Sequence, residues 1–523
     1  MHYSFLLPVW GLAAFVLYKA VSMVVQSQRH AAKAKQLNCQ DAPMYPDLGV
    51  MGYKGVQEMM KADKEKLFPD MMLARYNKMS EIHGRPCATY KFNTLGQIVI
   101  FTVDPKNIQH MLAHGFADFG LGEARRGNMI RTLGDGIFVQ DGKAWEHSRS
   151  MLRPNFVREQ VSDLDMEERH VKNLLSVMPV QSDGWTAETN IQTLFFRLTI
   201  DAATEFLFGS SVDSQIAESK TGGTRTDELA FSQNFDSAQR HLAQGFRLAD
   251  MYWISNPKEF KENNKFVNNF ISHFVDLALQ KGSDEKKSEE GHKYIFLDEL
   301  AKQTRDPVEL RAQLLNILLA GRDTTASLLS WLFMLLLSHP EVFSKLRSTI
   351  IDTFGTYEDP QDITFATLKG CQYLQACMNE TNRLWPVVPG NARRSNKDTT
   401  LPRGGGPDGN SPIFVPAQTD VNYSIHVMHR RKDLWGEDAE EFKPDRWQGK
   451  KPGWEYLPFN GGPRICIGQQ FALTEASYVT VRLLQRFDAI QAAPQPAGPI
   501  TSNLTLTNCP GNPVTLRMHA AKN

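Results

Sequence analysis

Apolar residues follow several distinct patterns along this 523-residue chain, and each pattern predicts a different element. The stretch from Ser4 to Val25 is apolar except for Lys19, and its length matches the roughly 20 residues that span a bilayer. Basic residues follow from Arg29 onward, and such charges stay on the cytoplasmic side of a membrane. We therefore predict a single transmembrane anchor over residues 1–25. A cleaved signal peptide is the alternative, but the sequence lacks a preceding basic residue and a clear small-residue cleavage site.

The next segment, residues 26–50, is basic at first and then punctuated by proline in "DAPMYPDLG", which predicts a linker. From residue 51 to residue 523 we find no internal repeat and no second shift in composition, so we predict one catalytic domain. Two polar stretches, "KTGGTRTDE" and "KGSDEKKSEEGHK", have the composition of solvated surface loops.

One long apolar stretch, "ELRAQLLNILLAGRDTTASLLSWLFMLLLSHP", predicts a helix from Glu309 to His339, where Pro340 stops it. At 1.5 Å per residue this helix is about 45 Å long. Because apolar residues occupy all its faces, we expect it to be buried. A second membrane span is the competing interpretation, but charges in the central "GRDTT" would be costly in lipid.

The other patterns complete the predicted fold class. The stretch "IGQQFALTEASYVTVRLLQRF" repeats apolar residues at helical spacing, whereas "IFVPAQTDVNYSIHV" alternates as strands do. Helical patterns dominate elsewhere. We predict a mainly α fold with a small β region, of the α+β class.

Charge and cysteine content narrow the function. Lys+Arg and Asp+Glu both count 58, and this balance argues against a nucleic-acid partner. The six cysteines are scattered and form no CxxC pair, so neither a zinc site nor a disulfide framework is indicated.

One cysteine has unusual neighbours. Cys466 lies in "FNGGPRICIG", where Gly461 and Gly462 permit a tight bulge and Pro463 fixes the turn. A helical pattern begins directly afterwards, so we expect the thiol at a helix N-terminus. Free N–H groups and the helix dipole there lower a thiol's pKa and stabilise the thiolate.

The same stretch is suited to a flat cofactor. Glycines let such a group approach the backbone, and Arg464 can meet an anionic group on its rim. These features suggest haem with Cys466 as the axial iron ligand. A catalytic cysteine nucleophile is the alternative; no histidine is near in sequence to act as its base, although one could approach in the fold.

The centre of the long helix supplies a polar notch. Gly321 and the Thr324-Thr325 pair can loosen the helical hydrogen bonds, which leaves room for a small molecule. Asp323 and Thr324 provide a carboxylate and a hydroxyl, which are the parts of a short proton relay. Alone, an Asp-Thr pair inside a helix is more often structural.

Together these motifs resemble the cytochrome P-450 superfamily. "FNGGPRICIG" is similar to its haem-binding signature, with the matching positions Phe459, Gly462, Arg464, Cys466 and Gly468. "AGRDTT" resembles its oxygen-binding notch, which includes Ala320 and Gly321, and "ETNR" and "FKPDRW" resemble its other two conserved segments. All four occur in the family order.

The resemblance implies further site residues. It implies haem b (iron protoporphyrin IX) as cofactor, with Trp145 and Arg149 of "WEHSR" and Arg393 near the haem propionates. It also implies a structural charge triad. Glu380 and Arg383 are three residues apart and so share one helix face, and the resemblance adds Arg446 as the third member.

A narrower resemblance concerns the substrate. "RGGGPDG", "LGDGIFVQDGKAWEHSRSMLRPNF" and "MHRRKDLWGEDAEEFKPDRW" are similar to the fungal microsomal alkane and fatty-acid ω-hydroxylases. This implies hydroxylation of a long apolar chain near its terminal carbon. Gly390 and Arg394 depart from the expected pattern. Relatives with the same frame also serve secondary-metabolite pathways, so a polyketide or terpenoid substrate is the alternative.

The resemblance also implies partners and location. These are O2, an apolar substrate, membrane lipid, a separate NADPH-cytochrome reductase carrying FAD and FMN, and cytochrome b5 as an optional second donor. The implied location is the endoplasmic reticulum membrane, with the catalytic domain on the cytosolic face. Two other functions stay open: a haem-thiolate isomerase or dehydratase, which needs no electrons, and a membrane-anchored haem carrier or sensor.

Overall fold

The computed structural model describes residues 3–156, 164–216, 225–281, 294–494 and 498–522. The α-helices of these residues are α1 Tyr3–Gln36, α2 Tyr53–Lys64, α3 Phe68–His83, α4 Pro105–Gln109, α5 Glu123–Leu133, α6 Gly142–Leu152, α7 Leu164–Ser176, α8 Ile191–Phe208, α9 Arg225–Arg247, α10 Lys258–Lys281, α11 Phe296–Gln303, α12 Pro307–Ser338, α13 Pro340–Phe354, α14 Phe365–Gly370, α15 Gln372–Leu384, α16 Ile425–Met428, α17 Lys432–Trp435 and α18 Gln469–Arg486. The predicted polar loop "KGSDEKKSEEGHK" lies outside the described residues except for Lys281, which ends α10. Of the other, "KTGGTRTDE", residues 225–228 form the start of α9 and not a loop, and the remainder lies outside the described residues.

The strands are short and fewer. They are β1 Thr89–Thr94, β2 Gln97–Thr102, β3 Phe119–Gly120, β4 Thr189–Asn190, β5 Gly390–Ser395, β6 Thr399–Gly405, β7 Ser411–Val415, β8 Asp420–Ser424, β9 Phe487–Ala492, β10 Ser502–Leu504, β11 Asn508–Pro510 and β12 Thr515–Ala520. The predicted mainly α fold with a small β region is thus confirmed. The alternating stretch predicted as strands forms β7 and β8.

The described chain divides into two compact units. The first comprises residues 1–56, 75–120 and 392–423. It carries a five-stranded sheet of order β1-β2-β8-β5-β3, in which β1 and β2 form an antiparallel hairpin and β2 pairs with β8 in parallel. A separate antiparallel ribbon joins β6 to β7.

The second unit comprises residues 57–74, 121–391 and 424–523, and it holds the main hydrophobic core. Helix α12 runs through this core, where Trp331 is fully buried and stacks on Trp385 with the ring centroids 4.2 Å apart. The indole N–H of Trp331 donates to the Asn508 carbonyl at 2.9 Å. The three-stranded sheet β4-β12-β9 and the β10-β11 hairpin also belong to this unit.

Helix α12 confirms the long buried helix expected from the sequence. It begins two residues before Glu309, because the Asp306 side chain accepts a hydrogen bond from the Val308 N–H at 2.9 Å and Pro307 occupies the first turn. It ends at Ser338, ahead of Pro340. Most side chains along it are buried in the protein, as expected for a helix of the core.

The N-terminal helix α1 extends through Gln36, so part of the segment predicted as a linker is helical. Its last turns pack within the first unit, where His30 lies 5.6 Å from the Phe414 ring and Lys33 pairs with Asp398. Among the described residues, we find no single helix with the length and apolar character of a membrane span. Only the pair α12 and α13, bent by 115°, passes such a test by length and composition.

Candidate active site

The loop before α18 places Cys466 at the surface of the second unit. A short 3-10 helix, Gly462–Arg464, forms there, and Gly462 has a φ of +68°, which glycine adopts without strain. The Cys466 N–H then donates to the Phe459 carbonyl at 3.0 Å, which closes the loop. Cys466 is exposed and belongs to no disulfide.

The charge state of this thiol differs from the expectation. Although Cys466 is accessible to solvent on one side, the protein atoms around its sulfur desolvate the thiol and raise its pKa, while the Gly468 N–H and the Arg149 guanidinium act in the lowering direction. The net direction is upward, opposite to that predicted from a helix N-terminus. Helix α18 begins only at Gln469, so a single backbone N–H and one cation do not offset the desolvation.

Two of the predicted cofactor-contacting glycines have no packing reason within the protein. A Cβ atom added to Gly321 would lie 3.6 Å from the Ala203 Cβ, and one added to Gly468 would lie 3.8 Å from the Phe156 ring. Both are ordinary van der Waals distances. Small residues at these positions therefore fit a flat group that lies against them. An accessible thiol is also a soft ligand of the kind that iron accepts in haem-thiolate proteins. The residues present thus fit haem.

Helix α6 holds the cysteine loop from one side. The Arg149 guanidinium donates to the Ile465 carbonyl at 3.0 Å. The Arg464 guanidinium carbon lies 4.4 Å from the centroid of the Trp145 ring, and the Arg149 guanidinium carbon lies 5.7 Å from it. The structure therefore brings Trp145, Arg149 and Arg464 together beside Cys466.

One face of α12 is accessible although the helix is otherwise buried. Ala320, Gly321 and Thr324 are partly exposed, whereas their neighbours along the central turns are buried. These three positions share one helix face. The helix stays continuous here, and the Thr324 hydroxyl donates to the Ala320 carbonyl at 2.7 Å. The predicted loosening therefore takes the form of this side-chain bond and not of a break in the helix.

Asp323 is turned about 100° around α12 from Thr324 and is buried. Its side chain is buried and lies 3.3 Å from the Arg322 guanidinium, which also pairs with Asp236 of α9. Burial raises the pKa of Asp323 to about 6, with Asp236 acting in the same direction and Arg322 and Gln239 acting against it. Burial alone would lower the pKa of Arg322, but the two carboxylates outweigh it and the net direction is upward.

A polar cavity of about 350 Å³ reaches this buried carboxyl and is open on one side. Its lining includes Asp323, Arg322, Asp236 and Gln239, together with hydroxyl and amide side chains from α8, α9 and the β10-β11 segment. Arg322 Nε, Asp323 Oδ1 and Gln239 Oε1 have no hydrogen-bond partner among the residues that the structure describes. Water in the cavity can satisfy such groups.

The predicted charge triad is assembled, with Glu380 and Arg383 fully buried and Arg446 partly exposed. Arg383 donates to both carboxylate oxygens of Glu380, at 2.8 and 2.9 Å, and the Arg446 Nε donates to one of them at 3.2 Å. The same carboxylate accepts the Lys443 N–H at 2.9 Å and the Trp447 indole N–H at 3.0 Å. Every lone-pair direction of the buried glutamate is thereby used.

His429 connects this triad to the cysteine loop, and the sequence analysis missed it. Its Nε2 accepts the Leu457 N–H at 3.1 Å, so its Nδ1 carries the proton that is donated to the Arg383 carbonyl, also at 3.1 Å. Burial lowers the pKa of His429 to about 3, with nearby Arg383 acting in the same direction. Its position in "VMHRRKD" gave no local signal for this role.

Glu475 is a second residue that sequence reasoning missed. It lies on α18 and is almost completely buried. Burial raises the pKa of Glu475 to about 8, while the Thr325 hydroxyl acts in the lowering direction. A protonated carboxyl thus lies next to the residue that follows Thr324. The helical pattern that contains Glu475 predicted only a helix.

Arg393 belongs to the first unit and is described there by itself. It is buried, donates to the Ala392 carbonyl at 2.7 Å and lies over the Tyr423 ring. The neighbouring Arg394, noted as a departure from the expected pattern, makes a two-pronged pair with Asp420 at 2.7 and 2.8 Å. This pair connects strands β5 and β8, so the departure has a structural explanation.

Known proteins of one family are similar to this chain over most of its length. The family model described as Cytochrome P450 matches residues 67–511. Cytochrome P450 monooxygenase g430 of Fusarium sp is 50% identical over 97% of this chain and 90% of its own length. Cytochrome P450 monooxygenase alt2 of Alternaria solani is 41% identical, over 97% and 96%. Cytochrome P450 52A6 of Candida tropicalis is 42% identical over 95% of both chains.

Proposed function

The chain belongs to the cytochrome P450 family and is a haem-dependent P450 monooxygenase, and from this premise we propose that it hydroxylates a fatty acid or an alkane near its terminal carbon. One observation carries the proposal. The accessible face of α12 offers Ala320, Gly321 and the Thr324 hydroxyl, while the charged Arg322 and Asp323 lie on the buried side. A surface without charge suits an apolar chain.

The chain's own residues would hold the cofactor as follows. Cys466 would bind the haem iron, with Phe459, Gly462 and Gly468 shaping its loop, and Trp145, Arg149 and Arg464 would meet the propionates. For Arg393 the same role stays a prediction from the family resemblance. When bound, haem supplies O2 activation with electrons from a reductase, and a thiolate ligand favours O–O cleavage. The protein's share is to position the substrate, tune the ligand and supply protons.

Asp323 and Thr324 have different roles in delivering protons. A carboxyl with a pKa of about 6 can both bind and release a proton near neutral pH. The open polar cavity can bring water to it. The Thr324 hydroxyl lies on the accessible face and can pass a proton toward the reacting atoms.

The narrower substrate class rests on the resemblance to the alkane and fatty-acid ω-hydroxylases. The segments "RGGGPDG" and "MHRRKDLWGEDAEEFKPDRW" support it. Because Arg394 is held by Asp420, its departure from the expected pattern does not weigh against this class.

Membrane attachment and partners are parts of the same proposal. Residues 1–25 anchor the chain in the endoplasmic reticulum membrane, and α1 carries exposed apolar side chains such as Trp10, Leu17 and Tyr18. In the first unit Val50 is also exposed, and in the second unit Trp253 is exposed. The electron donor is a separate NADPH-cytochrome reductase, with cytochrome b5 as an optional second donor.

Reconstitution tests the proposal. The full-length protein is combined with a fungal NADPH-cytochrome reductase in lipid vesicles and given fatty acids and alkanes of increasing chain length, with mass spectrometry of the products. We expect NADPH-dependent hydroxylation at or next to the terminal carbon. Oxidation of polyketide or terpenoid intermediates only would assign the protein to secondary metabolism and reject the fatty-acid class.

Cysteine variants supply the matched control. Cys466→Ser should abolish the red-shifted band of the reduced, carbon-monoxide-treated protein together with activity. Cys39→Ser changes a half-exposed thiol in the N-terminal segment and should leave both unchanged. Product formation without NADPH and reductase would favour an isomerase or dehydratase. Haem binding without turnover of any compound would favour a carrier or sensor.

A further inference from the structure

Asp141 occupies the N-cap position of α6 but does not cap the helix. Its backbone is extended, with a φ of −122°, and its side chain accepts no hydrogen bond from the first turn. Aspartate at this position usually binds the N–H groups of its own helix. Here the carboxylate is directed elsewhere, and this raises the question of what it holds.

The Asp141 carboxylate binds two groups from distant parts of the second unit. Its Oδ2 accepts the Leu121 N–H at 2.7 Å, and its Oδ1 accepts a hydrogen bond from Arg464 Nη2 at 2.6 Å. The same nitrogen of Arg464 donates to the Gln140 carbonyl at 3.0 Å. The Arg464 side chain is 10% exposed and the Asp141 side chain 44%, so only the guanidinium end of this charge-assisted pair is shielded from solvent.

Trp145 and Arg149 are four residues apart and share one face of α6, and Asp141 precedes the helix at its N-cap position. All three hold the cysteine loop. Asp141 binds the Arg464 guanidinium, the Trp145 ring lies beneath it at 4.4 Å, and Arg149 binds the next carbonyl at 3.0 Å. Residues 464 and 465 directly precede Cys466, so these contacts determine the position of the Cys466 thiol in its loop.

The support behind this face is also polar and buried. The Ser148 hydroxyl donates to Gln140 Oε1 at 2.6 Å and accepts from Gln313 Nε2 of α12, also at 2.6 Å. Ser148 and Gln313 are fully buried. Gln140 therefore links Arg464 to α12: its backbone carbonyl accepts from Arg464, and its side chain is connected to Gln313 through Ser148.

We propose that Asp141 is a positioning residue for the haem-binding loop. Its carboxylate holds the Arg464 guanidinium over Trp145, so that the loop keeps Cys466 and the arginine in register for the haem iron and a propionate. The inference rests on the proposed function, because it assumes that haem binds to this loop. Asp141 itself does not contact the reacting atoms.

Haem retention tests this role. Full-length wild-type protein and the variants Asp141→Asn, Asp141→Ala and Asp141→Glu are loaded with haem, and the rate of haem transfer to excess apomyoglobin is measured. Partners that orient a metal ligand typically contribute about 10–100-fold in affinity. We expect haem loss about 10-fold faster for Asp141→Ala, a smaller acceleration for Asp141→Asn and partial recovery for Asp141→Glu.

Asp135→Asn is the matched control. Asp135 is a nearby aspartate paired with Arg126, and both side chains are well exposed, at 47% and 44%. This variant should lose haem at the wild-type rate. Because Asp141→Asn keeps the shape of the side chain, it decides the question if Asp141→Ala does not fold.

The outcomes are distinguishable. Wild-type rates of haem loss in Asp141→Asn and Asp141→Ala would overturn the positioning role. A lower unfolding temperature of the apoprotein with unchanged haem loss would likewise overturn it and assign Asp141 to structure alone. If the wild-type protein shows no thiolate-type carbon-monoxide band, the proposed function fails, and this result is separate from the behaviour of the variants.

Discussion

At the scale of single residues, neighbours in sequence have opposite surroundings. Thr324 is on the accessible face of α12, whereas Asp323 is buried beside Arg322 and the polar cavity. The 100° turn between successive helical positions produces this separation. The Thr324 hydroxyl thus lies on the accessible face of α12, while the Asp323 carboxyl reaches the polar cavity, which can hold water.

Replacing Thr324 by Ala should uncouple electron flow from product formation. The variant loses the hydroxyl that passes protons, so NADPH consumption continues while peroxide is released. We expect the product formed per NADPH to fall by about 10-fold or more. The ratio of product to NADPH, with peroxide measured in parallel, checks this.

Ser330→Ala is the matched control, since the Ser330 hydroxyl makes the same kind of bond, to the Ala326 carbonyl at 2.6 Å, but is fully buried. It should keep wild-type coupling. Tight coupling in Thr324→Ala would remove Thr324 from the relay.

Glu475 makes stability depend on pH. The pKa of its carboxyl is raised from 4.5 to about 8 by burial, so between these values the folded state binds a proton that the unfolded state has lost. Stability from this group therefore decreases as pH rises, by up to about 1.4 kcal/mol per pH unit. Glu475→Gln removes this titration. The melting temperature of the variant minus that of the wild type should therefore increase from about pH 5.5 to about pH 8.5, because over this interval the folded wild type holds up to one proton more than the unfolded chain.

Thermal unfolding at several pH values measures this difference. Glu341→Gln, which changes an exposed glutamate of α13, should differ from wild type by the same amount throughout. A constant difference for Glu475→Gln as well would show that Glu475 is charged in the folded protein.

At the scale of elements, α15 is attached to the segment around residues 429–447 by buried charge. Arg383 donates not only to Glu380 but also to the carbonyls of His429 and Glu441, at 2.8 and 3.0 Å. Removing the Glu380 carboxylate would leave the fully buried Arg383 without its counter-charge, whereas Arg446 would keep its pair with Asp438 at 2.8 Å. Breaking such a buried network is far more costly than breaking a surface pair.

Glu380→Gln should therefore destabilise the protein by about 3–5 kcal/mol and reduce the yield of haem-loaded protein. Asp445→Asn is the control, because Asp445 pairs with Lys345 at the surface, with 55% and 48% exposure. We expect a change of at most about 1 kcal/mol for it. Urea unfolding of both variants measures the contrast, and equal effects would contradict a structural role for the triad.

The sequence predicted those features that depend on local pattern. The helix α12, the helix after Cys466 and the pair Glu380 and Arg383 all follow from spacing along one segment. Contacts between distant segments could not be predicted in this way. Asp141 and Arg464 are separated by 323 positions, and no periodicity joins them. The direction of the Cys466 pKa was wrong for a related reason, since desolvation depends on the whole surroundings.

At the scale of the whole molecule, the N-terminal helix has two parts with different roles. Its last turns bind the first unit through His30 and Lys33, whereas earlier positions such as Trp10 and Tyr18 remain exposed. Residues 1–25 can thus be removed without loss of the contacts that the helix makes through His30 and Lys33.

A chain shortened by residues 1–25 should bind haem and keep its carbon-monoxide band, but it should leave the membrane fraction. Flotation with lipid vesicles measures the change against the full-length protein. Weak residual binding through Val50 and Trp253 is expected, because these exposed apolar side chains remain. Unchanged membrane association of the shortened chain would show that the anchor lies elsewhere.

The different surroundings of Thr324 and Asp323 on α12 bear on how much water a substrate can displace without stopping proton transfer. A bulky hydrocarbon chain displaces water from the space in which it binds. If protons reached the reaction only through that water, substrate binding would stop proton transfer. Here the polar cavity that reaches Asp323 is open to solvent, and its lining does not include Ala320, Gly321 or Thr324. A substrate that displaces the water beside Thr324 therefore leaves the water that can reach Asp323 through this cavity in place.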